Sequence, residues 1–143
     1  MRDERGFTLV ELLVVIAIVV ILAAFLVPRL LAAQDRARNA AVAAIAKDLM
    51  TAVQAYEVDN NTPPTTTPQE CGTLSAFLMD PDNDPATPGY LPAVPRNPFT
   101  NAPCADGDAS GRIVYTFDSA TGRYTITGYG RNNAQQVIQV GNF

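Results

Sequence analysis

The sequence predicts an α+β protein in which one long N-terminal α-helix packs against a small antiparallel sheet of about three strands. Three observations support this fold class. Residues 7–27 are almost wholly apolar, residues 30–56 have the spacing of a helix with one apolar face, and residues 112–143 contain β-rich runs. A helix with one apolar face needs a second layer to cover it, and the β-rich tail can supply that layer.

The apolar run is long enough to cross a bilayer. Between residues 7 and 27 only Thr8 and Glu11 are polar. A span needs about 20 apolar residues, whereas the core of a cleaved export signal has about 7–15. A buried helix would need a larger soluble core than this chain can build. We therefore expect a single membrane span, with Arg2 and Arg5 favouring a cytoplasmic N-terminus and a C-terminal part on the far side of the membrane.

A second helical segment follows the apolar run. Pro28 removes one backbone hydrogen bond and predicts a kink, but helix-forming residues resume after it. The sequence thus predicts one helix from Phe7 to about Asp59, apolar in its first part and amphipathic over residues 29–60. The predicted buried face has a spacing of three or four residues and consists of Val42, Ile45, Leu49, Val53 and Tyr56.

Residues 61–111 are expected to be mostly loop, because ten of the eleven prolines lie between Pro63 and Pro103. Residues 73–79 could form one short helical turn. Cys71 and Cys104 are the two cysteines, and an even pair outside the membrane most simply forms one disulfide. The alternative is a metal-binding or redox-active pair. The chain has no CxxC motif and no histidine to support it. The disulfide would stabilise the C-terminal part of the chain by about 3–4 kcal/mol.

The tail predicts three strands. Residues 112–118 and 123–127 are rich in β-branched and aromatic side chains, and the short segment between them contains Gly122. Two such runs joined by a short turn predict a hairpin, with Ile113, Tyr115 and Phe117 on one face. Residues 136–140 are the third expected strand. Three strands with one apolar face can cover the amphipathic half of the helix.

The start of the apolar run carries a specific motif, Arg5-Gly6-Phe7-Thr8-Leu9-Val10-Glu11. It resembles the class III signal of type IV prepilins and pseudopilins, which indicates a pilin-like fold. The resemblance implies that a prepilin peptidase removes a leader of residues 1–6 between Gly6 and Phe7, and that the new amine of Phe7 is N-methylated. Residues 7–28 would then be the membrane and filament-core part of the helix, and residues 61–143 the head.

Glu11 is the candidate assembly residue. A carboxylate in an apolar segment is costly and usually has a partner. In the family this glutamate is proposed to pair with the terminal amine of a neighbouring subunit, here Phe7. Pro28 matches a proline that lies near a locally unwound part of the helix in this family. The simpler interpretation of Pro28 is a kink, and the sequence leaves both open.

These features predict a structural subunit that polymerises into a type IV pilus, for adhesion, motility or DNA uptake. Its expected partners are other copies of itself, prepilin peptidase, an inner-membrane assembly platform, minor pilins and membrane lipid. We expect it first in the inner membrane and then at the cell surface. No direct contact with nucleic acid is expected, because the head is acidic despite a small group of basic residues, Arg112, Arg123 and Arg131.

Two alternatives stay open. Residues 89–99 and 124–130 resemble the head of a major pseudopilin of type II secretion systems. The chain departs from that head at Arg96-Asn97-Pro98-Phe99 and at Gly130-Arg131-Asn132-Asn133, which lacks the acidic calcium-binding end. The other alternative is a membrane-anchored binding module that never polymerises.

No enzyme, cofactor or metal site is predicted. The chain has no histidine, no serine paired with a base and no glycine-rich phosphate loop. The segment Asp80-Pro81-Asp82-Asn83-Asp84 fails the EF-hand spacing, because Pro85 and Leu91 occupy the sixth and twelfth positions. We interpret it as a solvated acidic turn, and an irregular oxygen site for a cation is the alternative.

Overall fold

The computed structural model describes residues 7–65, 69–83 and 88–142. Helix α1 spans Leu9–Asn60 and continues through Pro28, as the sequence predicts. The chain divides into two compact units, Met1–Gln34 and Asp35–Phe143. The first contains the apolar part of α1, and the second contains the rest of α1 and the head. The predicted kink at Pro28 stays a prediction.

The head contains one antiparallel sheet in the order β1-β2-β3-β4. Its strands are β1 (Gln69–Glu70), β2 (Ile113–Asp118), β3 (Arg123–Tyr129) and β4 (Gln136–Gly141). The last three confirm the predicted strands. The two-residue β1 was not predicted, because it lies in the proline-rich segment and is defined by its pairing with Tyr115 and Val114 rather than by its own residues.

The proline-rich segment also contains helix α2 (Cys71–Met79), which is longer than the single turn predicted there. Its buried side chains are Cys71, Leu74, Ser75 and Leu78. A short 3-10 helix, Arg131–Asn133, connects β3 to β4. Regular structure therefore occupies part of a segment whose composition favours loop.

The core lies between the amphipathic half of α1, α2 and the sheet. Val42, Leu49 and Val53 are completely buried, and Ile45 and Tyr56 are partly buried against them, which confirms the predicted helix face. On the sheet the largest buried side chains are Tyr115, Tyr124, Ile113 and Ile126. Two apolar layers that cover each other in this way define an α+β head.

Strand β3 approaches α1 closely at Gly128. A Cβ atom built at this position would lie 2.9 Å from Cγ1 of Val42 and 2.9 Å from Cγ2 of Ile138. Any side chain here would push the strand away from the helix, so the glycine sets the spacing of the two layers.

Two buried tyrosines join the sheet to the end of α1 and the segment after it. The Tyr124 hydroxyl donates to Oε2 of Glu57 at 2.6 Å, and the Tyr115 hydroxyl donates to the carbonyl of Pro64 at 2.7 Å. Burial raises the pKa of both phenols, and the Glu57 carboxylate raises that of Tyr124 further. Neutral tyrosines thus satisfy polar groups that the packing would otherwise leave unpaired.

Candidate assembly site

The apolar part of α1 is uncovered. Every residue from Phe7 to Leu31 is exposed, including large side chains such as Leu22 and Phe25. Within the described residues, α1 contains an 18-residue window with a mean hydropathy of 3.3, and the helix is long and apolar enough to cross a membrane. A single soluble chain rarely exposes such a surface, so it indicates a lipid or protein partner.

Thr8 and Glu11 form a reciprocal cap at the start of α1. The Thr8 amide and hydroxyl both donate to Oε2 of Glu11, at 2.9 and 2.7 Å. In return, the Glu11 amide donates to Oγ1 of Thr8 at 3.2 Å. This is a capping box, in which a threonine before the helix and a glutamate three residues later satisfy each other's free backbone amides.

The sequence already contained the signal for this cap. Thr8-Leu9-Val10-Glu11 fits the pattern of a Ser or Thr followed three residues later by an acid, directly before an apolar run. The charge of Glu11 alone predicts a partner for the carboxylate but not the cap. The structure adds that Glu11 also caps the start of the helix and that Thr8 fixes the direction of its carboxylate.

The cap leaves one carboxylate oxygen of Glu11 unused. Both bonds from Thr8 end on Oε2, and Oε1 accepts no hydrogen bond from the part of the chain that the structure describes. Phe7 lies just before the cap and is 80% exposed. Gly6 and the rest of the leader lie outside the described residues, so the cleavage site and the amine pairing of Glu11 stay predictions.

The two cysteines are brought together. Cys71, the first residue of α2, forms a disulfide with Cys104, with their Cα atoms 5.8 Å apart. Both cysteines are buried. The disulfide therefore attaches the loop around residue 104 to the start of α2.

Contacts between three further residue pairs reinforce this attachment. The first residues of α2 have no cap from the preceding residue, and the Asp106 carboxylate replaces it by accepting hydrogen bonds from the Thr73 amide, at 3.0 Å, and from the Thr73 hydroxyl. Glu70 accepts from the Gly107 amide at 2.5 Å and forms an ion pair with Arg112 at 2.6 Å. Residues 70–73 and 104–112 thus form one cross-linked corner of the head.

Asp106 is stabilised in its charged form. Desolvation alone would raise the pKa of this carboxyl, but the hydrogen bonds from Thr73 and from the Gly72 amide outweigh it and hold the pKa below its usual range. The negative charge also lies at the N-terminus of α2, where the helix dipole favours an anion.

Asn97 organises the loop that departs from the pseudopilin pattern. Its side chain is almost completely buried, and its amide nitrogen donates to Oδ2 of Asp108 and to the Ser110 carbonyl, both at 2.8 Å. Its Oδ1 accepts from the Phe99 amide at 2.9 Å. In the sequence Asn97 stands out only as a departure from a family pattern. The Asn-Pro dipeptide, a turn signal, was the available clue to its role.

The described residues contain no group of three or more Asp, Glu, His or Cys residues placed to hold a metal ion. Within the acidic turn, Asp84 lies outside the described residues. Our interpretation of this turn as solvated stays a prediction.

Comparison with known proteins supports the N-terminal motif. Residues 1–27 match the family described as the prokaryotic N-terminal methylation motif. The type IV wide pilus major component PilA4 of Thermus thermophilus is 52% identical over 61 residues. That match covers 43% of this chain and 47% of PilA4, so the chain spans about half of that relative.

A second group of relatives matches more of the chain. Type II secretion system core protein G of Klebsiella michiganensis is 36% identical over 103 residues, or 68% of this chain and 70% of that protein. The protein of the same name from Vibrio cholerae is 36% identical over 105 residues, or 71% of this chain and 69% of that protein. No solved structure matches significantly.

A long N-terminal helix with an exposed apolar start, followed by a small antiparallel sheet, defines a pilin-like protein. The chain belongs to the type IV pilin and pseudopilin family. The matched relatives are a pilus component and secretion-system core proteins, and none of them is named as an enzyme.

Proposed function

We propose that the chain is a filament subunit that is cleaved between Gly6 and Phe7, N-methylated on Phe7 and polymerised through the apolar part of α1. The uncovered apolar surface from Phe7 to Leu31 is the observation that carries this proposal. Lipid covers that surface before assembly, and neighbouring copies cover it afterwards. The filament is a type IV pilus, the subunit passes through the inner membrane before assembly, and its head lies in the periplasm.

Glu11 sets the register between copies. The Thr8 cap directs its carboxylate and uses only Oε2, so Oε1 is available for the amine of Phe7 on a neighbouring copy. A charge-assisted hydrogen bond in an apolar environment is strong, and an unpaired carboxylate there is costly. Both effects favour the one axial offset in which the two groups meet.

The main alternative is a pseudopilin of a type II secretion system. It is favoured by the wider match to core protein G, which extends over 70% of that relative. Both candidates polymerise by the same route and differ in the machine that assembles them. Genes beside the locus separate the two, because a pilus locus carries a retraction ATPase and a secretion locus carries a secretin with secretion genes.

Substitutions at Glu11 test the proposal, because Glu11→Gln keeps the capping box but removes the charge. In a strain whose own copy of the gene is deleted, we expect Glu11→Gln and Glu11→Ala each to lower the yield of sheared filaments at least tenfold. The membrane level of the subunit should stay unchanged by immunoblot.

Thr8→Ala is the matched control, since it removes the cap and keeps the charge. We expect a smaller loss of filaments, in keeping with a cap worth about 1 kcal/mol. Wild-type filament yield from Glu11→Gln would show that Glu11 acts only as a cap, and the register role would then be wrong.

A further inference from the structure

Charge is segregated along this chain. Residues 29–47 contain four basic residues, Arg29, Arg36, Arg38 and Lys47, against a single acid, Asp35. Between Lys47 and Arg96 there is no Lys or Arg at all, and seven acids occupy this interval: Asp48, Glu57, Asp59, Glu70, Asp80, Asp82 and Asp84. One copy therefore carries a basic segment within α1 and, later in the chain, a segment that contains only acidic charges.

A small cavity of about 120 Å³ lies in the acidic region, where α1 ends. Its lining consists of Tyr56, Asn60, Pro81, Asp82, Pro88 and Tyr90. The rings of Tyr56 and Tyr90 meet edge to face with their centroids 5.5 Å apart, and Phe77 supports Tyr56 from 5.2 Å. We call this cavity the tyrosine pocket.

The tyrosine pocket combines aromatic surfaces with negative charge. Asp82 is part of the lining, and Asp59 interacts with the Tyr90 hydroxyl. Aromatic faces attract cations, and a carboxylate at the rim adds a charge-assisted hydrogen bond. A guanidinium group satisfies both requirements, because it is planar, stacks on aromatic rings and forms several hydrogen bonds.

Arg36 is the basic residue best suited to this pocket. Arg38 lies over the Phe99 ring at 5.7 Å, and Arg112 and Arg131 form ion pairs with Glu70 and Asp35. Arg36 is exposed and has no hydrogen-bond or ion-pair partner among the described residues. Lys47 is also exposed, but its ammonium group lacks the stacking plane of a guanidinium.

Helix geometry prevents Arg36 from reaching the pocket of its own chain. Twenty residues separate Arg36 from Tyr56, which corresponds to about 30 Å along the axis at 1.5 Å per residue. At 3.6 residues per turn the two positions also lie about half a turn apart around the helix. A parallel copy that is shifted sideways and by about 30 Å along the axis brings its Arg36 to this pocket.

We propose that the tyrosine pocket of one copy binds the Arg36 guanidinium of another copy. Because Arg36 and the pocket lie on opposite sides of the helix, the contact is heterologous, and a bound pair keeps one unused Arg36 and one unused pocket for further copies. Such a contact extends without closing, as a filament requires. The proposal rests on the polymerisation proposed above, and it adds a contact between Arg36 of α1 and the tyrosine pocket to the contacts of the apolar segment.

Cysteine cross-linking in filaments tests the contact. Within the described chain no cysteine is free, so an introduced pair gives a clear readout. In full-length protein carrying R36C and D82C, mild oxidation of sheared filaments should give a ladder of covalent multimers on non-reducing gels. Each single variant should stay monomeric, and so should the K47C/D82C pair, since Lys47 lies about 17 Å further along the helix than Arg36.

Charge reversal provides a second measurement. We expect R36E and D82R each to lower filament yield severalfold, and the R36E/D82R pair to restore most of it. The proposal is overturned if R36C/D82C filaments are visible by electron microscopy but stay monomeric on gels, or if the double reversal gives no rescue. If the wild-type chain forms no filaments, the proposed function fails, and the Arg36 contact fails with it.

Discussion

The apolar start of α1 and the head differ in how far their apolar side chains are buried within the chain. Residues 9–31 expose nearly all their large side chains, and the hydrogen bonds that the side chains make there join neighbours in sequence, such as Thr8 and Glu11. The head buries its apolar side chains and joins distant residues, as Tyr124 and Glu57 show. The head therefore depends on its own contacts for stability, whereas the apolar segment depends on what surrounds the chain.

Truncating one leucine in each region gives the largest expected difference in stability between the two regions. Leu49→Ala removes a completely buried side chain and should lower the free energy of unfolding of the head by about 2–5 kcal/mol. Leu22→Ala, at a residue that is 63% exposed, should change it by less than about 0.5 kcal/mol. Urea unfolding of full-length protein in detergent micelles, followed by near-UV circular dichroism of the tyrosines, measures both. Equal losses of unfolding free energy from the two variants would contradict the proposed difference between the head and the apolar segment.

Removing the disulfide tests whether the head stabilises itself. Replacing Cys71 and Cys104 with alanine should lower the free energy of unfolding by about 3–4 kcal/mol, because the crosslink closes a long loop in the unfolded chain. The same unfolding experiment measures the change, and wild-type protein treated with a reductant is the matched control. An unchanged urea midpoint after reduction would show that the corner around α2 holds without the disulfide.

The smallest effect concerns the acid Asp106. Its lowered pKa means that the charged form stabilises the head above the usual carboxyl value near 3.8, and that this stability is lost as the pH falls through the folded-state pKa. Asp106→Asn should therefore cost about 1 kcal/mol at neutral pH, as for other helix caps. Variant and wild type should converge at the acid end of the pH range. A constant difference at all pH values would assign the loss to packing instead of charge.

Most of the fold followed from local patterns in the sequence. Residues 42–56 repeat their apolar side chains every three or four positions, and residues 112–127 alternate around a glycine-containing turn. Both patterns report the period of one element, so a single sequence suffices to recognise them. The observed helix α1 begins at Leu9 instead of the predicted Phe7, and α2 is longer than predicted. The end residues of a helix depend on individual caps, such as the one that Thr8 provides for α1.

The assembly roles of Phe7 and Glu11 come from the motif and stay predictions. The capping box of Thr8 and Glu11 was not predicted, although its spacing is visible in the sequence. The corner around Asp106 could not be predicted, since its partner Thr73 lies 33 positions away in a segment dominated by prolines. The buried amide network of Asn97 has the same origin, because it depends on loops that meet only after folding.

The sequence by itself determined the apolar segment, the amphipathic half of α1 and the main strands, because each depends on the composition or spacing of nearby residues. It also determined the cysteine pairing, because the sequence contains only two cysteines. Only the tertiary structure decided the short strand β1, the cap that Asp106 provides for α2, and the grouping of Tyr56, Tyr90 and Asp82 into one pocket. These features join residues that are far apart in the chain, and no local pattern reports which of many distant partners the packed core brings into contact.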